Sequence, residues 1–324
     1  MVTGIGLFSG GLDSMIAVRV LQAQGIRTVA VCFVTPFFGP DKAHAAARHL
    51  GITLEVRDIT EAHVAMLHNP RYGYGRNMNP CIDCHGLMFR EAGALMQECG
   101  AQFLFSGEVL GERPMSQNKN ALRSVEKLSG FQGRILRPLS AQLLPETIPE
   151  QQGLVDRSRL LAISGRSRKP QIELARTLGI TEYPEPAGGC RLTEPGYSKR
   201  LRELMDHGDA LQRRDLELLA VGRHFRLPTG VKVVIGRNKK ENETLHRMVG
   251  PQDVLLAVLR IPGPTALVCG AADEATLTLA ASWCARYSDL PSGAQASVRV
   301  SGNGITRVLR VTGADRQTVQ SCMI

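Results

Sequence analysis

No apolar run in this 324-residue chain approaches the roughly 20 residues that a membrane span requires. The N-terminus lacks a charged segment followed by a secretory apolar stretch, because its first apolar run empties at once into a glycine turn. Together these absences lead to the expectation of a cytoplasmic protein with no membrane partner. There is no internal repeat and no low-complexity segment, which excludes a repeat architecture. The G-x-x-x-x-G-K-[ST] loop of the common NTPases is missing. A second C-x-x-C is missing too, which counts against a structural zinc site built from paired motifs.

What is present is the make-up of a globular protein, with 43% apolar and 21% charged residues. The length suggests two domains, each large enough for its own core. Lys and Arg number 39 against 30 Asp and Glu, and the net charge of +9 points to a polyanionic partner. Eight cysteines spread over a chain this long do not read as a secreted disulfide scaffold.

The most informative stretch is the start. An apolar run, Gly4–Phe8, feeds into Ser9-Gly10-Gly11-Leu12-Asp13-Ser14, and helix-compatible residues follow over Met15–Gln24. A strand that empties into a two-glycine turn and then a helix gathers backbone N–H groups, a helix N-terminus and two hydroxyls around one point. That geometry favours negative charge and suits a phosphate-bearing ligand. Gly10 and Gly11 permit close approach and positive φ. Ser9, Asp13 and Ser14 supply side chains for phosphate, metal or capping.

Further along, β-branched runs alternate with helical patterns, the signature of a parallel α/β sheet. Strands are predicted over Thr28–Thr35, Thr53–Asp58, Gln102–Ser106 and Ile135–Leu139. Helices are predicted over Asp41–Leu50, from Glu61–Met66, over Cys84–Cys99 and over Pro170–Leu178, with Gly107–Gln117 as a loop. A charged, helix-rich stretch follows, and from Gly222 the pattern changes to hairpins. These comprise Arg223–Leu227, Val231–Ile235, Val254–Arg260, Thr265–Val268, Ala294–Val300 and Arg307–Val311, with one helix, Asp273–Arg286. The domain expectation is 1–197, a helical linker 198–221, and 222–324.

Asn79-Pro80-Cys81-Ile82-Asp83-Cys84-His85 places a C-x-x-C at a helix start, where the dipole makes lowered thiol pKa values reasonable. A third cysteine stands far along in Pro186-Ala187-Gly188-Gly189-Cys190, where the paired glycines suggest a tight turn. Four readings compete: incidental cysteines, a zinc site completed by His85 or Cys99, a persulfide relay through Cys84 and Cys190, and a three-cysteine iron–sulfur cluster. In the last, Cys81, Cys84 and Cys190 leave one iron of a 4Fe–4S cluster open, where ordinary electron-transfer clusters use four cysteines. Cys32, Cys99, Cys269, Cys284 and Cys322 read as core or surface thiols.

Ser9–Ser14 resembles the pyrophosphate loop of the PP-loop ATP pyrophosphatases, which adenylate an oxygen and release pyrophosphate. With the Cys81/Cys84 pair, Gly107-Glu108-Val109-Leu110-Gly111, Ser116-Gln117 and Ile135-Leu136-Arg137-Pro138-Leu139, the first 195 residues or so resemble the tRNA thiouridine synthetases of that superfamily. The resemblance implies a doubly wound parallel α/β sheet of the adenine nucleotide alpha hydrolase-like kind, followed by a smaller α+β domain. It implies ATP and Mg²⁺ at Ser9, Gly10, Gly11, Asp13, Ser14 and Gly107, with Asp13 holding the metal or only capping the helix. It implies catalytic roles for Asp13, Cys81, Cys84 and Cys190, the three cysteines carrying the 4Fe–4S cluster. The partners it implies are tRNA and a sulfide donor or cysteine desulfurase. Unlike some relatives, the sequence shows no N-terminal RNA-binding module and no rhodanese-like extension, which leaves the donor open.

Gly222-Arg223-His224-Phe225-Arg226-Leu227, Gly230–Val234 and Ile235-Gly236-Arg237-Asn238-Lys239-Lys240-Glu241-Asn242 resemble the NFACT-R RNA-binding module. Arg223, Arg226, Lys232, Arg237, Lys239 and Lys240 are read as phosphate-backbone contacts. Gly165-Arg166-Ser167-Arg168-Lys169 is a second basic cluster, either a solvated helix start or a tRNA contact. Two other functional classes stay open: a sulfur transferase for a small cofactor precursor, and a non-catalytic RNA-binding protein.

Overall fold

Alternating apolar strands and amphipathic helices give the first part of the chain a parallel sheet covered on both faces. The computed structural model describes residues 1–185, 189–208 and 211–324, in two compact units, Met1–Glu194 and Pro195–Ile324. The strands of the first unit are β1 (Thr3–Leu7), β2 (Arg27–Val34), β3 (Leu54–Asp58), β4 (Phe103–Ser106) and β5 (Ile135–Leu136). They pair in parallel in the order β3-β2-β1-β4-β5. Its helices are α1 (Leu12–Gln22), α2 (Asp41–Leu50), α3 (Thr60–His68), α4 (Cys81–Glu98), α5 (Lys119–Ser129), α6 (Ile148–Gln151) and α7 (Lys169–Thr177). The expected doubly wound α/β sheet is therefore what the chain builds.

Period-two alternation divides each strand between two cores. Phe103 and Phe105 point to the side of α1 and α2, while Ile5, Val31 and Leu104 point to the side of α4. Gly4 and Gly6 of β1 leave the space that the phenylalanine rings fill. A Cβ on Gly6 would stand 2.2 Å from the Phe105 ring, and one on Gly4 would stand 2.7 Å from Phe103.

The strand order reverses between β1 and β4, which makes the crevice beyond their C-terminal ends the switch point where open α/β sheets bind ligands. The Ser9–Ser14 turn leaves β1 at this crevice, and the segment from Gly107 leaves β4 there.

Several boundaries differ from the sequence reading for local reasons. Helix α1 starts at Leu12, so Asp13 and Ser14 lie in its first turn instead of ahead of it. Helix α4 starts at Cys81, with the Cys84 N–H bonded to Pro80 O at 2.8 Å, so both cysteines lie on its first turn. Strand β5 keeps two residues, because Arg137 turns aside into a buried ion pair and Pro138 lacks a donor for the ladder. Helix α5, unforeseen in the sequence, is capped by the Asn118 side chain on the Ala121 N–H and buries Leu122 and Val125.

The second unit is α+β. Strands β6 (Arg223–Arg226), β7 (Lys232–Ile235), β8 (Val254–Val258), β9 (Thr265–Cys269), β10 (Gln295–Gly302) and β11 (Ile305–Thr312) form an antiparallel sheet in the order β11-β10-β8-β9-β7-β6. Helices α8 (Pro195–Asp206), α9 (Arg213–Leu218), α10 (Lys239–Arg247), α11 (Glu274–Arg286) and α12 (Arg316–Ser321) accompany it. Trp283, Phe225 and Val298 anchor the core under α11, and Leu218, Leu245 and Leu267 form a smaller cluster. The stretch read as a linker, 198–221, belongs to this unit, because its helices bury Leu201, Leu204 and Leu216. The Tyr197 hydroxyl donates to Leu216 O at 2.8 Å, and Glu203 pairs with Arg226 at 2.6 Å. Among the described residues no helix is long and apolar enough to cross a membrane.

The glycine spaces of β1 give a first testable outcome. Gly6→Ala should cost about 1–3 kcal/mol in urea unfolding, the usual penalty for overpacking a filled core. In a Phe105→Leu background the same substitution should cost measurably less, since the ring that it meets has gone.

Candidate functional site

The first turn of α1 has N–H groups that no helical carbonyl can reach, and the chain bends sharply to present them. Gly10 makes the bend at φ +75°, and a Cβ there would fall 2.3 Å from Lys42 O, so the loop lies against the start of α2. Ser9 Oγ accepts from the Gly11 N–H at 3.3 Å, and Ser14 Oγ donates to Gly11 O at 2.7 Å, which fixes both hydroxyls. A Cβ on Gly107 would stand 2.4 Å from the Asp13 carbonyl carbon. The segment after β4 therefore touches the loop after β1 backbone to backbone, and only glycine permits it.

Asp13 Oδ1 is buried without a hydrogen-bond partner. Burial raises the Asp13 pKa above its ordinary value, against the lowering effect of Arg168, of Gln171 beside it, and of Arg113. Glu112 is raised as well, by burial and then by Asp13 itself. Two carboxylates flanked by two guanidinium groups thus stand at the loop. The sequence reading named Asp13 alone. Glu112, Arg113 and Gln171 were missed because nothing in their local pattern marks them, and Arg168 was noticed only as part of a basic cluster. The Gly165 N–H bonds Leu110 O at 2.8 Å and carries that cluster in.

The Gly107–Gln117 stretch is a built loop, with Glu108, Ser116 and Gln117 all buried. Glu108 is its anchor. Its carboxylate meets Arg137 Nε at 3.0 Å, His85 Nδ1 at 2.7 Å and the Ser106 hydroxyl at 3.0 Å. Arg137 also donates to Glu126 at 2.7 Å. Burial alone would raise the Glu108 pKa, but Arg137 and His85 outweigh it and hold the carboxyl at about 2. His85 is thereby fixed in orientation through Nδ1.

His85 follows directly on the C-x-x-C, so the same contact fixes the start of α4. The loop before it is tied down by Asp83, whose carboxylate accepts the Arg71 and Tyr72 N–H groups at 2.8 and 3.0 Å. The Asn79 amide donates to Cys81 Sγ at 3.2 Å.

Cys190 arrives from far along the chain. Residues 186–188, half of the glycine turn expected to carry it, lie outside the described residues. What pins it is the segment after it. The Arg191 N–H bonds Phe37 O at 3.0 Å, and the Asn77 amide donates to Thr193 O at 2.7 Å. Cys81, Cys84 and Cys190 come within electrostatic reach of one another. Burial pushes the Cys84 thiol well above its usual range, and Cys190, Cys81 and Asp83 add to the rise. Burial likewise takes Cys190 to about 11, with Cys81 contributing. The lowered value expected from the helix dipole is therefore corrected for Cys84, where desolvation and like-charge repulsion prevail. Among the described residues no group of three His, Cys, Asp or Glu side chains is arranged to hold a metal ion. The donor set is chemically that of a three-thiolate site, and holding a cluster would require the sulfurs to draw together.

Residues 222–323 match the family profile described as the NFACT protein RNA binding domain. The chain is 29% identical over 155 residues to the tRNA-specific 2-thiouridylase MnmA of Pelobacter propionicus, covering 43% of this chain and 42% of the relative. It is 28% identical over 165 residues to the bifunctional protein NifU/MnmA of Rubrobacter xylanophilus, covering 44% and 32%. The chain thus spans less than half the length of the curated relatives it matches. The chain is thus similar to tRNA 2-thiouridylases over part of its length, and residues 222–323 carry the similarity to the NFACT RNA binding domain. A solved 4-thiouridine synthetase–RNA complex with bound ATP aligns over 67% of this chain and 52% of its own, at 20% identity and a TM-score of 0.41.

In the second unit the basic residues divide. Lys232 is buried, Arg226 is paired to Glu203, and Arg237 is paired to Glu241 at 2.5 Å. Lys239 and Lys240 are exposed, and Arg223 lies over the Tyr287 ring. The sequence reading grouped these cations together, because it could not see which of them have internal partners.

Two buried groups predict separate limbs of acid destabilisation. His63, packed between Phe37 and Phe38, has its pKa lowered from 6.5 to about 4 by burial. The stability it allows is complete above pH 6.5 and drains away as pH falls to about 4, because only the unfolded chain takes up the proton. The Glu108 contribution is complete above 4.5 and is lost as pH falls towards 2. Urea unfolding across pH should show His63→Leu removing the upper limb alone. Glu108→Gln should remove the lower limb and cost about 3 kcal/mol at neutral pH, the low end for a broken buried pair, since Arg137 keeps Glu126.

Proposed function

We propose that this protein is an ATP-dependent tRNA thiolase, which adenylates a uracil carbonyl oxygen and replaces that oxygen with sulfur. The observation that carries the reading is a single run of contacts. Gly107 touches the Ser9–Ser14 loop, and Glu108, the next residue, holds His85 at the head of the cysteine helix. A nucleotide loop and a sulfur-bearing helix are thereby fixed to two consecutive residues.

The loop N–H groups and first turn of α1 receive the β- and γ-phosphates of ATP, with Arg113 and Arg168 opposing charge that develops on the departing pyrophosphate. The uracil oxygen forms its bond to the α-phosphorus as the bond to pyrophosphate breaks. Asp13 fits a Mg²⁺ ligand, since one of its oxygens is buried and unpartnered. Bound there, the ion would neutralise phosphate charge. Adenylation turns an oxide, a poor leaving group, into AMP. Sulfur then bonds to the activated ring carbon, and AMP departs with the former carbonyl oxygen.

Cys81, Cys84 and Cys190 form the sulfur-handling set. Held by their thiolates, a 4Fe–4S cluster would supply an open iron for sulfide delivered by a sulfide donor or a cysteine desulfurase. Asn79 orients the Cys81 sulfur, and the ties at Phe37 and Asn77 hold Cys190 in place. The second unit would hold tRNA through its exposed cations and so offset the few kcal/mol needed to unstack the target base.

Mass spectrometry of tRNA nucleosides from cells with and without the gene tests the reading. Loss of one thiouridine species is expected on deletion. In a reconstituted assay, Asp13→Ala should lower pyrophosphate release about 100-fold. Cys190→Ser should leave adenylation largely intact and abolish thiouridine. Unchanged tRNA nucleosides beside normal ATP turnover would move the acceptor to a small molecule.

A further inference from the structure

The second unit carries a cleft of about 370 Å³ on the side of α10, lined by Arg223, Arg237, Lys239, Pro262, Tyr287 and Asp289 among others. Its walls approach closely because glycines stand in them. A Cβ on Gly236 would fall 2.1 Å from Asn242 Oδ1, and one on Gly263 would fall 2.8 Å from Ser288 Cβ.

Within the cleft, the Arg223 guanidinium carbon sits 4.7 Å from the centre of the Tyr287 ring. That ring is backed by Phe225 at 6.0 Å, which is itself fully buried against Trp283 at 5.3 Å. The ring under Arg223 is therefore anchored in the core of the unit.

Arg237 is held in a fixed pose by Glu241, which takes its Nε at 3.0 Å and also accepts its backbone N–H at 2.8 Å. That bonding occupies the Glu241 carboxylate. Arg200 lies close enough to Arg237 for the two cations to repel each other. Among the lining residues three cations face one acid, Asp289. A guanidinium over a half-buried aromatic ring, beside further cations in a cleft with room for one nucleotide, combines the two elements that hold single-stranded nucleic acid.

We propose that this cleft seats one unpaired nucleotide of an RNA strand, its base on the Arg223–Tyr287 platform and its flanking phosphates at Arg237 and Lys239. The inference rests on the reading of the second unit as RNA-binding and goes beyond it in naming the place and the single-stranded, sequence-tolerant mode. Stacking accepts any base, and duplex RNA cannot offer one without opening.

The test is fluorescence anisotropy of the full chain with a labelled ten-nucleotide oligouridine across a salt series. Arg223→Ala and Tyr287→Leu should each weaken binding about tenfold, as expected for loss of one stacked base. Arg223→Lys should lose affinity but keep the salt slope, and Lys239→Ala, an exposed change that leaves the fold intact, should reduce the slope by about 1. Equal binding by the parent and all four variants would overturn the assignment of the cleft. Displacement of the oligouridine by AMP as effectively as by unlabelled oligouridine would overturn it in favour of a free-nucleotide site. Equal affinity for duplex RNA would overturn the single-stranded mode. Parent protein without any salt-dependent binding would overturn the RNA reading of the unit as well.

Discussion

One buried carboxylate holds the first unit together where it matters. Glu108 sits out of water, and an unpaired charge there would be costly, so it gathers Arg137, His85 and Ser106 around it. Those partners come from β4, from the end of β5 and from the first turns of α4. The contact cannot be satisfied unless these elements meet at one point, and once they do, the neighbouring Gly107 is pressed against the turn after β1. The position of the sulfur helix and the shape of the phosphate loop are therefore set together. An apolar pair at Glu108 and Arg137 could fill the same volume, but it would not fix His85, and with it the C-x-x-C, in orientation.

The chemistry at the two ends of this connection follows opposite electrostatic rules. At the loop, the N–H groups of the first turn and the two guanidinium groups make a place for negative charge, and one oxygen of Asp13 is buried there without a partner. At the cysteines, burial keeps Cys84 and Cys190 protonated as free thiols, because thiolate would repel thiolate in a desolvated space. A group bound through those sulfurs would have to displace protons as it enters, so occupancy and pH are coupled. The second unit uses a third arrangement, in which ion pairs such as Arg226–Glu203 stabilise the fold and leave a smaller number of cations for a ligand.

How much of this was legible before the structure depends on the range of each interaction. Ser9–Ser14 was readable because a strand, a glycine turn and a helix start are local signals, and Cys81 and Cys84 were readable for the same reason. The helical start itself was misplaced by a turn, since Pro80 as the residue before α4 gives only a weak local sign. Arg137 looked like the interior of a strand, and Glu108 like part of a polar run, because neither shows by its neighbours that it will be buried. Helices α5 and α10 were missed although Asn118 and Asn238 cap them, since their charged faces resemble loop composition. Lys232 and Arg226 resembled surface cations until burial and Glu203 accounted for them.

The sequence by itself determined the parallel α/β first half, the hairpin-rich second half and the strand–glycine turn–helix start at Ser9–Ser14, all of which rest on patterns within a few turns of chain. Only the tertiary structure decided how the segment after Cys190 is pinned, that Arg113, Arg168 and Glu112 attend Asp13, and which basic residues face outward. These depend on contacts such as Arg191 with Phe37 and Asn77 with Thr193, whose partners are separated by more than a hundred residues. Burial, which decides whether a charge is paired or free, is a property of the whole fold and has no local signature.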